Sequence, residues 1–179
     1  MWVQTGIVAL AGALVVSAPA VEAQTPKRGG ILKFAVVAEP PSIDCHATGT
    51  FAMVHPVTPH YSTLAKFVGP HDNLRIVGDL AESWEVAPDG LTYTFKLRRG
   101  VKFHDGSDFT AADVAYSIEH PGIINTPGGF TIYTRSITEK IIVDPYTIRL
   151  KTAAPYPNMP TDMGGLIIVS RSEEHTSDL

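Results

Sequence analysis

Cysteine is nearly missing from this chain: Cys45 is the single one. A disulfide framework within the chain is therefore excluded. A basic surplus is also missing. Fourteen Lys and Arg stand against 18 Asp and Glu, a net charge of −4, and apart from Lys96, Arg98 and Arg99 the basic residues are scattered. That balance argues against an unaided nucleic-acid binder, which shows a basic stripe or surplus. No apolar run reaches the roughly 20 residues that a membrane-spanning helix needs. The usual catalytic signatures are lacking as well. There is no HExxH pair of histidines, no GxSxG elbow for a serine nucleophile and no glycine-rich phosphate loop, Gly128-Gly129 being too slight to count. Charge is modest, at 18% of residues, against 44% hydrophobic. This is an ordinary globular balance, so disorder is not the default.

The two ends read differently from the middle. Gly6 to Val16, GIVALAGALVV, is uncharged, too short to span a bilayer and the right length for the core of a signal peptide. Val21-Glu22-Ala23 before Gln24 offers a cleavage site, with Ala18-Pro19-Ala20 as a second; the positive leader is missing, since Met1 to Thr5 hold no Lys or Arg. Residues 1–23 are read as a signal peptide for export to the periplasm and 24–30 as a linker. No cysteine follows the apolar run, so a lipid anchor is not expected. At the other end, Arg171 to Leu179 (RSEEHTSDL) resembles the translation of a sequencing-library adapter. Residues 171–179 are therefore read as adapter-derived, and Glu173, Glu174 and His175 are not read as metal ligands.

Between the ends, the pattern is α+β, with hairpins and short helices. Ile31 to Val37 reads as a buried strand closed by Glu39-Pro40-Pro41-Ser42. Pro56 and Pro59 limit the next stretch to a short helix or turn, with a strand around Ser62 to Val68. Gly69 to Asn73 is a turn cluster. Trp84 and Val86 share a face; Leu91, Tyr93, Phe95 and Leu97 alternate with polar residues, and Pro88-Asp89-Gly90 joins the two segments in a hairpin. Thr110 to Asp113 resembles a capping box ahead of Ala111, Val114, Ala115 and Ile118 at helical spacing, with Pro121-Gly122 as the stop. Pro127-Gly128-Gly129 marks a flexible loop. Glu139–Val143 and Thr147–Thr152 make a second hairpin, Pro155, Pro157 and Pro160 an extended linker, and Leu166 to Val169 a last strand.

Residues able to do chemistry are present but do not form a pattern. His46, His55, His60, His71, His104 and His120 show no metal-ligand spacing, and prolines spoil the helical register of His55 with His60. A Cys45–His46 nucleophile pair is disfavoured, because adjacent residues on an extended segment point apart. His104-Asp105 lies in a turn-like FHDG stretch. Ser117 and His120 are neighbours only by helical spacing, and Asp105 and Asp108 read as turn and cap formers. Neither a catalytic residue nor a metal ligand is assigned, and no cofactor is expected.

Four stretches taken together resemble a known family. They are Lys27-Arg28-Gly29-Gly30-Ile31-Leu32-Lys33 running into Glu39-Pro40-Pro41-Ser42-Ile43-Asp44; Asp79-Leu80-Ala81-Glu82-Ser83-Trp84-Glu85-Val86; Pro88 to Arg98 (PDGLTYTFKLR); and Gly100 to Gly106 (GVKFHDG) with Thr110 to Ile118 (TAADVAYSI). In order and spacing they resemble the family 5 extracellular solute-binding proteins of bacterial ABC importers, which include oligopeptide-, dipeptide- and nickel-binding members. The resemblance implies a two-lobed periplasmic binding protein of type II with an extra domain, of which this chain is an N-terminal fragment. Residues 31–44 would begin the first lobe, 45–160 would form the extra domain and 161–170 would return to the first lobe. It also implies a non-enzyme that captures peptides or similar small solutes, works as a monomer and docks on importer membrane subunits. The loop through Thr48, Gly49, Thr50 and Phe51, together with Phe130 and Tyr133, would face the ligand cleft; Cys45 stands where the family often has proline. Two other readings stay open. A metal (nickel) or haem carrier of the same family would bring several of His46, His55, His60 and His104 to one pocket. A secreted hydrolase would show a nucleophile and base within hydrogen-bond reach.

Overall fold

The computed structural model describes residues 29–31, 33–42, 44–69 and 75–172. The expected signal peptide, most of the linker, the 70–74 turn and residues 173–179 lie outside them. The chain separates into units 1–34 and 35–179, and the elements below belong to the second. They are helix α1 (Phe51–Val57), a 3-10 turn (Thr58–His60), strands β1 (Ala65–Phe67), β2 (Ile76–Gly78), β3 (Ala81–Val86) and β4 (Thr92–Leu97), helices α2 (Ala111–Ile124) and α3 (Thr131–Thr134), strands β5 (Ile137–Asp144) and β6 (Thr147–Thr152), and the single turn α4 (Met159–Asp162). Helix and sheet are mixed. None of the helices is long and apolar enough to cross a membrane, among the described residues.

The alternation in β4 organises the core. Tyr93, Phe95 and Leu97 are all buried, as period-2 side chains on one face of a strand must be if that face is covered. Antiparallel pairing sets Trp84 and Val86 of β3 opposite Phe95 and Tyr93. On the other flank it sets Ile148 and Leu150 of β6 opposite the same two residues. The sheet runs β3-β4-β6-β5, so β4 and β6 are the inner strands. Trp84 and Phe95 meet with ring centroids 6.2 Å apart. The turn between β3 and β4 follows the local chemistry expected of it. The Gly90 N–H donates to the Ala87 carbonyl at 2.8 Å, the Leu91 N–H donates to Asp89 Oδ1 at 2.9 Å, and Gly90 takes φ +70°, a conformation that costs glycine little.

Helix α2 begins at Thr110, whose N–H and hydroxyl both donate to Asp113 Oδ2 at 2.8 Å. Its buried Ala111, Val114 and Ile118 join the hydrophobic core. The expected stop at Pro121-Gly122 is corrected: the helix continues through Pro121 to Ile124. A proline near the end removes one N–H and not the turns around it. The real terminus is Asn125, at φ 46°, which donates to the Pro121 carbonyl at 3.0 Å, a left-handed cap that asparagine tolerates.

Three other expectations change. Ile31 to Val37 forms no strand at its described residues, and Ile31, Phe34 and Val37 are exposed. β-branched composition alone does not make a strand without a neighbour to pair with. Leu166 to Val169 is buried but pairs only as a bridge, Thr63 with Ile167. The supposed linker at 155–160 runs into α4, with Pro160 in its first turn, where a missing N–H does no harm.

The corner between β1 and β3 is tightly built. The Leu64 carbonyl accepts from both Asp79 and Ala81 N–H at 3.0 Å, and the Leu80 N–H donates to the Thr63 carbonyl at 3.0 Å. The path leaves no room at Gly78: a Cβ there would lie 2.2 Å from the Ala81 carbonyl oxygen.

Candidate functional site

The two segments expected to face a ligand lie side by side. The Gly49 N–H donates to the Gly128 carbonyl at 3.0 Å, and the Phe130 N–H donates to the His46 carbonyl at 3.2 Å. The Thr126 hydroxyl donates to the Ala47 carbonyl. Gly129 lacks a side chain where a Cβ would sit 2.8 Å from Thr126 Oγ1 and 3.1 Å from the His46 carbonyl, which is why the loops can approach so closely. The structure therefore joins 46–51 to 126–130, a long-range pairing that local sequence patterns do not reveal.

The six candidate side chains divide by position. Thr48 is half-buried, and Gly49, Thr50 and Phe51 are exposed. The Thr50 carbonyl accepts from Met53 and Val54 N–H at 2.9 Å, so it starts α1. Phe51 stacks on His55, centroids 4.9 Å apart. Phe130 is a core residue, 3% exposed, wedged between His46 at 5.5 Å and Tyr133 at 5.4 Å; its ring supports the loop from beneath. Tyr133 is half-buried and lies over Gly165, where an added Cβ would come within 2.5 Å of its ring.

Beneath these loops is a polar cluster that sequence reasoning missed. His46 Nδ1 and His120 Nδ1 are 3.0 Å apart. His46 Nε2 donates to the Ile167 carbonyl at 2.7 Å. His120 Nε2 lies 3.8 Å from Asp44 Oδ2, and Asp44 Oδ1 accepts the His46 N–H at 2.8 Å. The expectation that Cys45 and His46 point apart fails here. Residues 45–46 form a turn and not a strand, and ligand atoms of Asp44, Cys45 and His46 come within 4.8 Å of one another. The missing signal is the 74-residue separation of His46 from His120, which only the fold closes.

Burial pushes the His46 pKa below its ordinary value, with the His120 charge acting the same way and the Ile167 carbonyl and Asp44 opposing. The unfolded chain then binds a proton that the folded chain resists. The linked stability is fully present above the unfolded pKa of about 6.5 and drains away as the pH falls toward the lower folded value. Urea midpoints should therefore fall between pH 7 and 5, and the fall should be smaller in His46→Gln. An unchanged pH slope in that variant contradicts this assignment.

Among the described residues, His55, His60 and His104 stand apart from this cluster. His60 and His104 line a cavity of about 610 Å³ together with Lys102, Asp105 and Ser170. Asp105 turns its carboxylate onto Ser107, accepting from its N–H at 2.8 Å and its hydroxyl at 2.6 Å, and Asp108 pairs with Lys102 at 2.7 Å. Asp105 thus holds a turn, while Asp108 pairs across a bridge with Lys102 and caps no helix, the cap of α2 being Thr110 with Asp113. Ser117 accepts the Val169 N–H at 3.0 Å and donates to the Asp113 carbonyl at 2.8 Å; it pins the 167–169 segment to α2 and is fully buried.

The glutathione-binding protein GsiB of Salmonella choleraesuis is 37% identical over 89 residues, 49% of this chain and 17% of the relative. The agropinic acid complex of AgaA from A. tumefaciens R10 matches with a TM-score of 0.66 at 28% identity, over 78% of this chain and 28% of that one. The ABC transporter-associated periplasmic binding protein DppA from Helicobacter pylori, in complex with the peptide STSA, matches with a TM-score of 0.62 at 25% identity, over 75% of this chain and 30% of that one. The chain thus spans under a third of each of these proteins. The model of the bacterial extracellular solute-binding proteins, family 5 (middle), covers residues 75–178, more than half of the sequence, and the chain belongs to that family.

Proposed function

We propose that this chain is part of the periplasmic solute-binding component of an ABC importer and that the solute is a peptide or a similar small molecule. The observation that carries the reading is the family match over residues 75–178. The ligands of these relatives support the solute class: glutathione, agropinic acid and a short peptide. In this reading residues 1–23 direct export, 31–44 begin the first lobe, 45–160 form the extra domain and 161–170 rejoin the first lobe. The partners are the importer's membrane subunits, and the working unit is a monomer. The surface turned to the solute is the rim of half-buried Thr48 and exposed Gly49, Thr50 and Phe51, together with Tyr133. Solute binding then selects a closed arrangement of the two lobes, because only there are both walls in contact with it.

The rim alone is a poor site. High affinity needs a concave surface that buries most of the ligand, and polar groups left facing water gain only about 0.5–1.5 kcal/mol per hydrogen bond. Calorimetry with mixed di- to pentapeptides should give no saturable heat at micromolar concentration for this chain. A protein carrying this sequence within a family-length chain should give it. Micromolar binding by the chain alone would place a complete site within these residues, and silence from the longer protein would reject the peptide class.

A further inference from the structure

The cluster beneath the loops has the makings of a metal centre. Three side chains, Asp44, Cys45 and His46, converge on one turn, and His120 of α2 comes up beside His46. One ligand atom from each of the first three lies within 4.8 Å of the others, and the Nδ1 atoms of His46 and His120 face each other at 3.0 Å. Two nitrogens bound at about 2.0–2.1 Å to one tetrahedral zinc stand about 3.3 Å apart, so a shift of a few tenths of an ångström admits the ion. We propose that Cys45, His46 and His120, with Asp44 as the fourth ligand, bind one Zn2+ that clasps the 44–46 turn to helix α2.

Three features support the assignment. The donor set, one sulfur, two imidazoles and one carboxylate, is one that zinc accepts in four-coordinate sites. His46 has the outer-shell bond that metal-bound histidines almost always show: its Nε2–H is held by the Ile167 carbonyl at 2.7 Å, which leaves Nδ1 as the lone-pair nitrogen on the metal side. Access and enclosure are both provided for. Asp44 and His120 side chains keep 31% and 18% exposure, an entry path, while Cys45 and His46 are buried at 5% and 1%. Phe130 against His46 and Tyr116 against His120, at 5.5 and 5.2 Å, wall the site with aromatic carbon.

Titration of the whole chain, stripped with chelator, against Zn2+ and Co2+ tests this. One ion should bind per chain. The cobalt form should show the visible bands of a tetrahedral site and a near-ultraviolet sulfur-to-cobalt transition. Cys45→Ser should abolish the sulfur transition, and His120→Gln should keep it while weakening Zn2+ affinity at least about tenfold. His60→Gln, remote from the cluster, should bind as the unaltered chain does. If the unaltered chain takes up no stoichiometric zinc at micromolar concentration, or its cobalt form lacks the sulfur transition, the proposal is wrong. It is equally wrong if His120→Gln binds with undiminished affinity. Circular dichroism of each variant confirms the fold; should Cys45→Ser not fold, the cobalt spectrum of the unaltered chain and the half-covered His120 position decide.

Discussion

Phe95→Ala should lower the unfolding free energy by about 3–5 kcal/mol, the range for deleting a fully buried aromatic ring. Phe95 has no exposed surface. It stands at the middle of the inner strand β4, with Trp84 across one flank and Ile148 across the other. Truncation opens a hole at the junction of three strands. Neighbours on paired strands are held by backbone ladders and cannot collapse far into it, so the cavity penalty adds to the lost transfer energy. Urea denaturation followed by tryptophan fluorescence reads the change, since Trp84 lies against the deleted ring. A loss under about 1 kcal/mol would mean that the β3–β4 face is not the centre of the core.

Gly78→Ala should cost about 3 kcal/mol, at the top of the range for forcing extra volume into a packed place. The added carbon would meet the Ala81 carbonyl oxygen at 2.2 Å and the Glu82 carbonyl oxygen at 3.2 Å. Both are main-chain atoms. A side chain in that position could rotate away, but the backbone at Ala81 is fixed by its N–H bond to the Leu64 carbonyl and its pairing with Leu97. The strain must open the corner that joins the two sheets. The same urea experiment measures it, and a neutral result would show that β1 and β2 dock loosely. Gly122→Ala, with nothing within 4 Å of its added carbon, provides the contrast and should leave the midpoint almost unchanged or raise it slightly.

Much of this architecture was legible in the residues. Alternation at Leu91, Tyr93, Phe95 and Leu97 identified β4, because a strand with one covered face must repeat every two residues. Thr110 and Asp113 announced the start of α2, because capping is a local exchange of hydrogen bonds. Errors arose where a signal depended on distant partners. Ile31 to Val37 has strand composition and, among the described residues, no strand to pair with. Pro121 looked like a terminator, but the left-handed Asn125 ends the helix a turn later. The candidate rim was readable only as two separate loops, through the family resemblance. That they touch, and that Phe130 is spent on the core, is decided by Gly129 and by contacts across some 80 positions. The His46–His120 meeting is of the same kind: neither residue has a neighbour in sequence that predicts it.

Among the described residues the four-stranded sheet is bordered by β3 and β5, and the outward N–H and C=O groups of a border strand can invite a second copy to continue the ladder. Each border carries a register irregularity, at Ala81/Ser83 in β3 and at Ile137/Glu139 and Ile142/Asp144 in β5. Glu82 and Glu85 stud one, Glu139 and Lys140 the other. Kinks and charges of this sort make an edge a poor template. The consequence concerns crowding: the folded chain can carry exposed Ile142 and Val143 on this border without offering a continuous template to a second strand, because the ladder is interrupted between Ile142 and Asp144.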